Sequence, residues 1–79
     1  MYAVRDAKAE IYLQPFGMKN HAVAIRQFSE HCKNPQTEWA KFPEDYALFH
    51  IGVYDPETGK ISSNEQALQL SSAMEHTEK

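Results

Sequence analysis

Apolar residues run almost unbroken from Tyr46 to Tyr54, and Asp55-Pro56-Glu57-Thr58-Gly59 follows at once. Val, Ile, Phe and Tyr suit a pleated strand, Pro56 presets φ for a turn, and Gly59 can adopt the positive φ that returns the chain. The pattern predicts a β-hairpin over about 46–54 and 60–64. Strand side chains alternate, so Ala47, Phe49, Ile51 and Val53 share one face, while Tyr46, Leu48, His50, Gly52 and Tyr54 share the other. Both faces are largely apolar. A sheet covered on one side only should be polar on the other, so this strand is either enclosed on both sides or offers an aromatic surface to a partner.

Upstream, Tyr2 to Arg5 reads as a strand, and Ala9 to Leu13 as its continuation or a second strand, stopped by Pro15 and Gly17. At Asn20 the period changes. Asn20 suits an N-cap, and Ile25, Phe28 and Cys32 recur at three- and four-residue steps, predicting a helix over about 20–33 that Asn34-Pro35 ends. A helical turn is expected around Thr37 to Lys41, with Trp39 and Phe42 as anchors. Ser62-Ser63-Asn64 reads as a polar break, Ala67, Leu68 and Leu70 as partial core cover, and Ser72 to Glu78 as a short helix or frayed tail. The expected fold is a small α+β domain: a mainly antiparallel β-sheet with one main α-helix packed on it. Residues 1–61 form its compact part and 62–79 a C-terminal extension, partly packed or flexible.

A chain of 79 residues is near the size at which one core barely outweighs chain entropy, so self-association as a dimer or higher oligomer is a serious expectation. Its composition, 42% hydrophobic and 24% charged, is that of a folding chain. No run approaches the roughly 20 apolar residues that span a bilayer, and Met-Tyr-Ala-Val-Arg-Asp lacks the order of a signal peptide, so no membrane partner and a cytoplasmic site of action are expected. The single cysteine, Cys32, can form no internal disulfide and is expected as a buried apolar group. A net charge of −3 argues against a generic nucleic-acid coat. Distribution matters more than the sum, because screening confines repulsion to about 8 Å at physiological salt.

Lys19, Arg26 and Lys33 are spaced by seven, which on a helix gives them a nearly constant direction suited to following phosphates. The competing reading is a solvated helix face, with Glu30 placed to pair with Arg26. Tyr2, Tyr12, Tyr46, His50 and Tyr54 could stack unpaired bases, each stack contributing about 1–3 kcal/mol, or could form a second core layer or a homodimer interface. These two readings stay open on the residues alone. His21, His31, Cys32 and His50 lack the spacing of a metal site, and Cys32 lacks an orienting base, so neither a metal nor any cofactor is expected. Glu44-Asp45 reads as capping rather than as a catalytic pair, and Gly17, Gly52 and Gly59 form no phosphate loop. An enzyme is therefore not expected.

The succession Tyr2-Ala-Val-Arg-Asp6, Pro15-Phe16, Ala24-Ile25-Arg26-Gln27-Phe28, Asn34-Pro35, Phe42-Pro43-Glu44-Asp45-Tyr46, Ile51-Gly52-Val53-Tyr54-Asp55 and Thr58-Gly59-Lys60 resembles the small nonstructural protein of gokushovirus-type microviruses. Those are tailless icosahedral bacteriophages with circular single-stranded DNA, and the resemblance covers about residues 2 to 61. It implies a DNA-binding protein of the host bacterial cytoplasm, absent from the mature virion, that acts in genome replication or the switch to packaging. With that implication, stacking moves ahead. The expected function is single-stranded DNA binding without sequence preference, through Lys19, Arg26, Lys33, Tyr12, Tyr46, His50 and Tyr54. The alternative is an interaction module that docks onto a phage replication or capsid protein or a host factor without touching DNA.

Overall fold

The computed structural model describes residues 1–77. Four strands, β1 (Tyr2–Asp6), β2 (Ile11–Tyr12), β3 (Tyr46–Asp55) and β4 (Lys60–Ser72), form one antiparallel sheet in the order β2-β1-β3-β4. Helix α1 (His21–Lys33) lies across one face. Two short helices, α2 (Glu38–Lys41) and α3 (Met74–Thr77), and a 3₁₀ turn at Pro43–Asp45 flank it. This is the expected α+β architecture.

Local chemistry accounts for the boundaries of α1. The Asn20 side chain accepts the Val23 N–H at 2.9 Å, and Asn34 ends the helix in extended backbone ahead of Pro35. Between these caps Ala24, Phe28 and Cys32 are buried, and Ile25 packs beside them. They meet Tyr2, Val4 and Leu48 from the sheet, and Trp39 and Tyr46 close the side of the core. Thr37 caps α2 by accepting the Ala40 N–H at 3.2 Å.

The segment after Ser62 departs from the sequence reading. Ser62, Ser63 and Asn64 do not break the chain: they are strand residues, and β4 runs to Ser72 rather than to 64. As the edge strand of a sheet, β4 leaves much of its length to solvent, so its polar side chains are compatible with pairing to β3. The register shifts twice, at Leu48/Phe49 and at His50/Gly52, and the second shift accommodates several extra β4 residues between Ser63 and Leu68. Beyond it Ser71 and Ala73 are buried. The Ser71 hydroxyl lies 2.6 Å from His76 Nε2 and donates to Glu75 at 3.1 Å, which fastens α3 beside Phe28. Residues 62–73 are thus integral to sheet and core. The last two residues of the expected extension, including Glu78 of the expected terminal helix or tail, lie outside the described residues.

Because β1 pairs only with Tyr46 to His50, the rest of β3 and the start of β4 project as a two-stranded arm. The molecule is accordingly elongated, 41 × 24 × 18 Å. Gly59, at φ 75°, closes the arm as its turn position requires.

Candidate functional site

Where the arm leaves the body, an open groove of about 480 Å³ lies against the helix-bearing side of the sheet. Tyr2, His50, Gly52 and Tyr54 supply its sheet wall, and Met18 and Lys19 its opposite wall. A backbone bridge sets that second wall in place: Tyr2 N–H donates to Phe16 C=O and Phe16 N–H returns to Tyr2 C=O, both at 2.8 Å. This fixes residues 17–19 alongside the start of β1. The nitrogen of Met1 donates to Gly52 C=O at 2.6 Å and holds the floor.

His50 is the centre of an aromatic cluster. Its ring is 5.2 Å from Tyr2 and 4.7 Å from His21, and the Tyr2 hydroxyl lies 2.8 Å from His21 Nδ1. Asn64 Nδ2 is 3.0 Å from His50 Nδ1 and donates to the His50 carbonyl, also at 3.0 Å. Burial, and then the facing His21, lower the His50 pKa from its ordinary value. The neutral ring is thus favoured, suited to stacking and packing rather than to attracting phosphate. Tyr54, on the same face two pairs along, is 49% exposed at the mouth of the groove. Lys19 is the side-chain cation of the lining, and none of the lining residues is acidic.

The seven residues singled out in the sequence are therefore distributed in four places. Lys19, His50 and Tyr54 come together in the groove. Arg26 and Lys33 are exposed on α1 and share its outward direction, but Lys19 is not part of their stripe, because the Asn20 cap starts the helix one residue after it. Lys33 sits about 18 Å along the helix axis from His21. Tyr12 lies on the opposite, helix-free face, edge-on to Phe49 at 5.5 Å and beneath the Arg5 guanidinium at 5.7 Å. Tyr46 is half-buried against Trp39, and its phenol is raised in pKa by burial and by the neighbouring Asp6 carboxylate. The expected single platform of tyrosines does not form: the β1–β2 register puts Tyr12 on the face away from Tyr54, and the core claims Tyr46 and Tyr2.

The sequence reading missed Met18 and the backbone of Gly52 as parts of the groove. The apolar alternation of β3 gave no sign of either, since both depend on the Tyr2–Phe16 bridge and on the bulge opposite Gly52. Cys32 is buried, and burial pushes its thiol up to about 11, so it stays protonated within the core. Among the described residues, no group of three or more His, Cys, Asp or Glu is arranged to hold a metal ion. No helix among them is long and apolar enough to cross a membrane.

A family model described as Phage ORF5 protein matches residues 1–76. The chain belongs to this phage protein family. The family match spans all four strands and α1, so it takes in both walls of the groove. No curated protein and no solved structure gives a significant match.

Proposed function

We propose that this Phage ORF5 family member is a binding protein for single-stranded DNA, without sequence preference and without catalysis. The observation that carries the reading is the groove in which Lys19 stands across from the exposed Tyr54 ring and the neutral His50. A volume of about 480 Å³ falls within the range of small-ligand sites and accommodates a nucleotide of an unpaired strand. A base stacks on Tyr54, and Lys19 meets the adjoining phosphate. A duplex keeps its bases stacked internally and cannot use the tyrosine. The setting is the host cytoplasm during infection by a small single-stranded DNA phage of the gokushovirus type, in genome replication or the switch to packaging, with the protein left out of the virion. The sequence resemblance and the phage family support that setting.

The test is fluorescence anisotropy of a labelled oligonucleotide at several salt concentrations, with a duplex of the same sequence beside it. The single strand should bind more tightly. Tyr54→Ala should weaken binding about 5- to 150-fold, the equivalent of one lost stack of about 1–3 kcal/mol, with little change in salt dependence. Lys19→Ala should reduce the slope of log K against log salt by about 0.7, the value for one phosphate contact on a single strand. Arg26→Ala and Lys33→Ala, outside the groove, should have smaller effects on the slope. Absence of binding at about 100 µM protein, the weak end of non-specific affinity, would contradict the reading. An interaction module without DNA contact would then take its place, favoured by the apolar side chains on the helix-free face of the sheet.

A further inference from the structure

A second hollow, of about 200 Å³, lies on the helix-bearing side of the sheet, and Met18 lines both it and the Lys19 groove. The buried side chains of Val4 and Phe28 form its floor. Phe16 and Trp39, both partly exposed, flank it, and Gln27 and His31 stand exposed at its mouth. Trp39 packs at 5.5 Å from Phe28 and meets the His31 ring edge-on at 5.1 Å. None of the lining residues is acidic.

The lining selects a flat heteroaromatic ring. A closed apolar cavity of about 150 Å³ stays dry and takes up benzene, so this volume holds one ring system. Phe16, Phe28 and Trp39 offer aromatic faces and edges, and the Met18 thioether makes favourable contacts with a ring. The polar groups are confined to one place: Gln27 and His31 are four residues apart on α1 and therefore neighbours on its surface. A carboxamide carries both donor and acceptor, and imidazole nitrogens take either role, which matches the mixed edge of a nucleobase whichever base it is. An aliphatic chain would leave both groups without a partner, and an anion would face the negative side of the aromatic rings.

The cavity also lies on the course of a strand held in the groove. Lys19 follows Met18 directly, so a phosphate at Lys19 is beside the wall common to the two hollows. Tyr54 and Leu48 share a face of β3 six residues apart, about 20 Å, and Leu48 pairs with Val4 at the cavity floor. That span is at most about six steps of a strand at the 3.4 Å spacing of stacked bases, and fewer once the bases unstack.

We infer that this cavity is a second base site, in which Trp39 stacks and Gln27 and His31 hydrogen-bond an unpaired base of the same DNA strand that Tyr54 and Lys19 hold. It rests on the single-stranded DNA reading of the groove. The binding site then extends over several nucleotides, within the range of about 4–16 found for folds that bind single strands. A base-tolerant edge at Gln27 and His31 keeps the binding free of sequence preference.

Trp39 is the lone tryptophan of the chain, so its emission reports on the cavity. An oligothymidylate long enough to span both hollows is titrated into the full chain, in parallel with the anisotropy of a labelled copy. Trp39 emission should fall along the isotherm by which the anisotropy rises. Trp39→Leu should weaken binding about 5- to 150-fold, as the loss of one stack does, with the salt dependence unchanged. Gln27→Leu, at an exposed position where loss of fold is not expected, should weaken it about 2- to 12-fold, as the loss of one hydrogen bond does. Far-UV circular dichroism confirms that each variant is folded. Constant Trp39 emission while the anisotropy rises would overturn the inference and leave the groove reading standing. Wild-type affinity in Trp39→Leu would do the same, or in Gln27→Leu if the tryptophan variant does not fold. An anisotropy that never rises would overturn both readings.

Discussion

Gly52 shows how one residue type is dictated by its neighbours. A Cβ built on it would stand 2.5 Å from the carbonyl oxygen of Ser62, a backbone atom that cannot swing aside. Gly52→Ala should therefore force β3 and β4 apart at the bulge and cost about 1–3 kcal/mol in chemical denaturation, as overpacking does. His50 makes a prediction of a different kind. Its folded pKa is lowered, so the folded state binds a proton less readily than the unfolded chain, whose histidine titrates near 6.5. Stability is complete above that value and declines as pH falls from about 6.5 through the lowered folded pKa. Thermal melts taken at pH 7.5 and then at successively lower pH should record the decline, and His50→Asn should flatten it. Equal profiles for the two proteins would show that the contacts with Tyr2 and His21 do not hold the ring neutral.

At the scale of elements, α1 carries much of the core through one stripe. Phe28 is 2% exposed, packs at 5.5 Å from Trp39 and meets His76 edge-on at 5.8 Å. Phe28→Ala should lower stability by about 3–5 kcal/mol, measured by urea denaturation followed through Trp39 fluorescence. A loss under 1 kcal/mol would mean that α1 does not rest on this ring. The helix was legible because its signals are local: Asn20 caps it, Asn34-Pro35 ends it, and the apolar spacing between them has the helical period. The hairpin turn was legible for the same reason, through Pro56 and Gly59. The far half of β4 was not. An edge strand with Ser62 and Ser63 exposed and a polar Asn64 reads as a loop, and the bulge at residues 64–67 destroys the period-two pattern before Ser71 and Ala73 return to the core. What makes that stretch a strand is pairing with β3, which no local pattern records.

At the scale of the molecule, one sheet separates two surfaces of different character. The helix-bearing side opens the groove at the foot of the arm, while on the other side Phe49, Ile51 and Tyr12 stand among Arg5, Gln69 and Ser72. Sequence reasoning found three of the groove residues, Lys19, His50 and Tyr54, and grouped them with residues that lie elsewhere. Tyr12 was misgrouped because strand alternation fixes faces only within a strand, and the register between β1 and β2 is set by the turn at Asp6 to Glu10. Lys19 was read into a helical stripe because a spacing of seven says nothing about where the cap falls.

Amide chemical-shift mapping during titration with an unlabelled single-stranded oligonucleotide decides whether DNA enters the groove as proposed. Shifts concentrated at residues 17–19 and 50–54, with the amides of Ile11 and Tyr12 unmoved, are expected. Shifts concentrated on β2 and along the outward turns of α1, with Lys19 and Tyr54 silent, would contradict it.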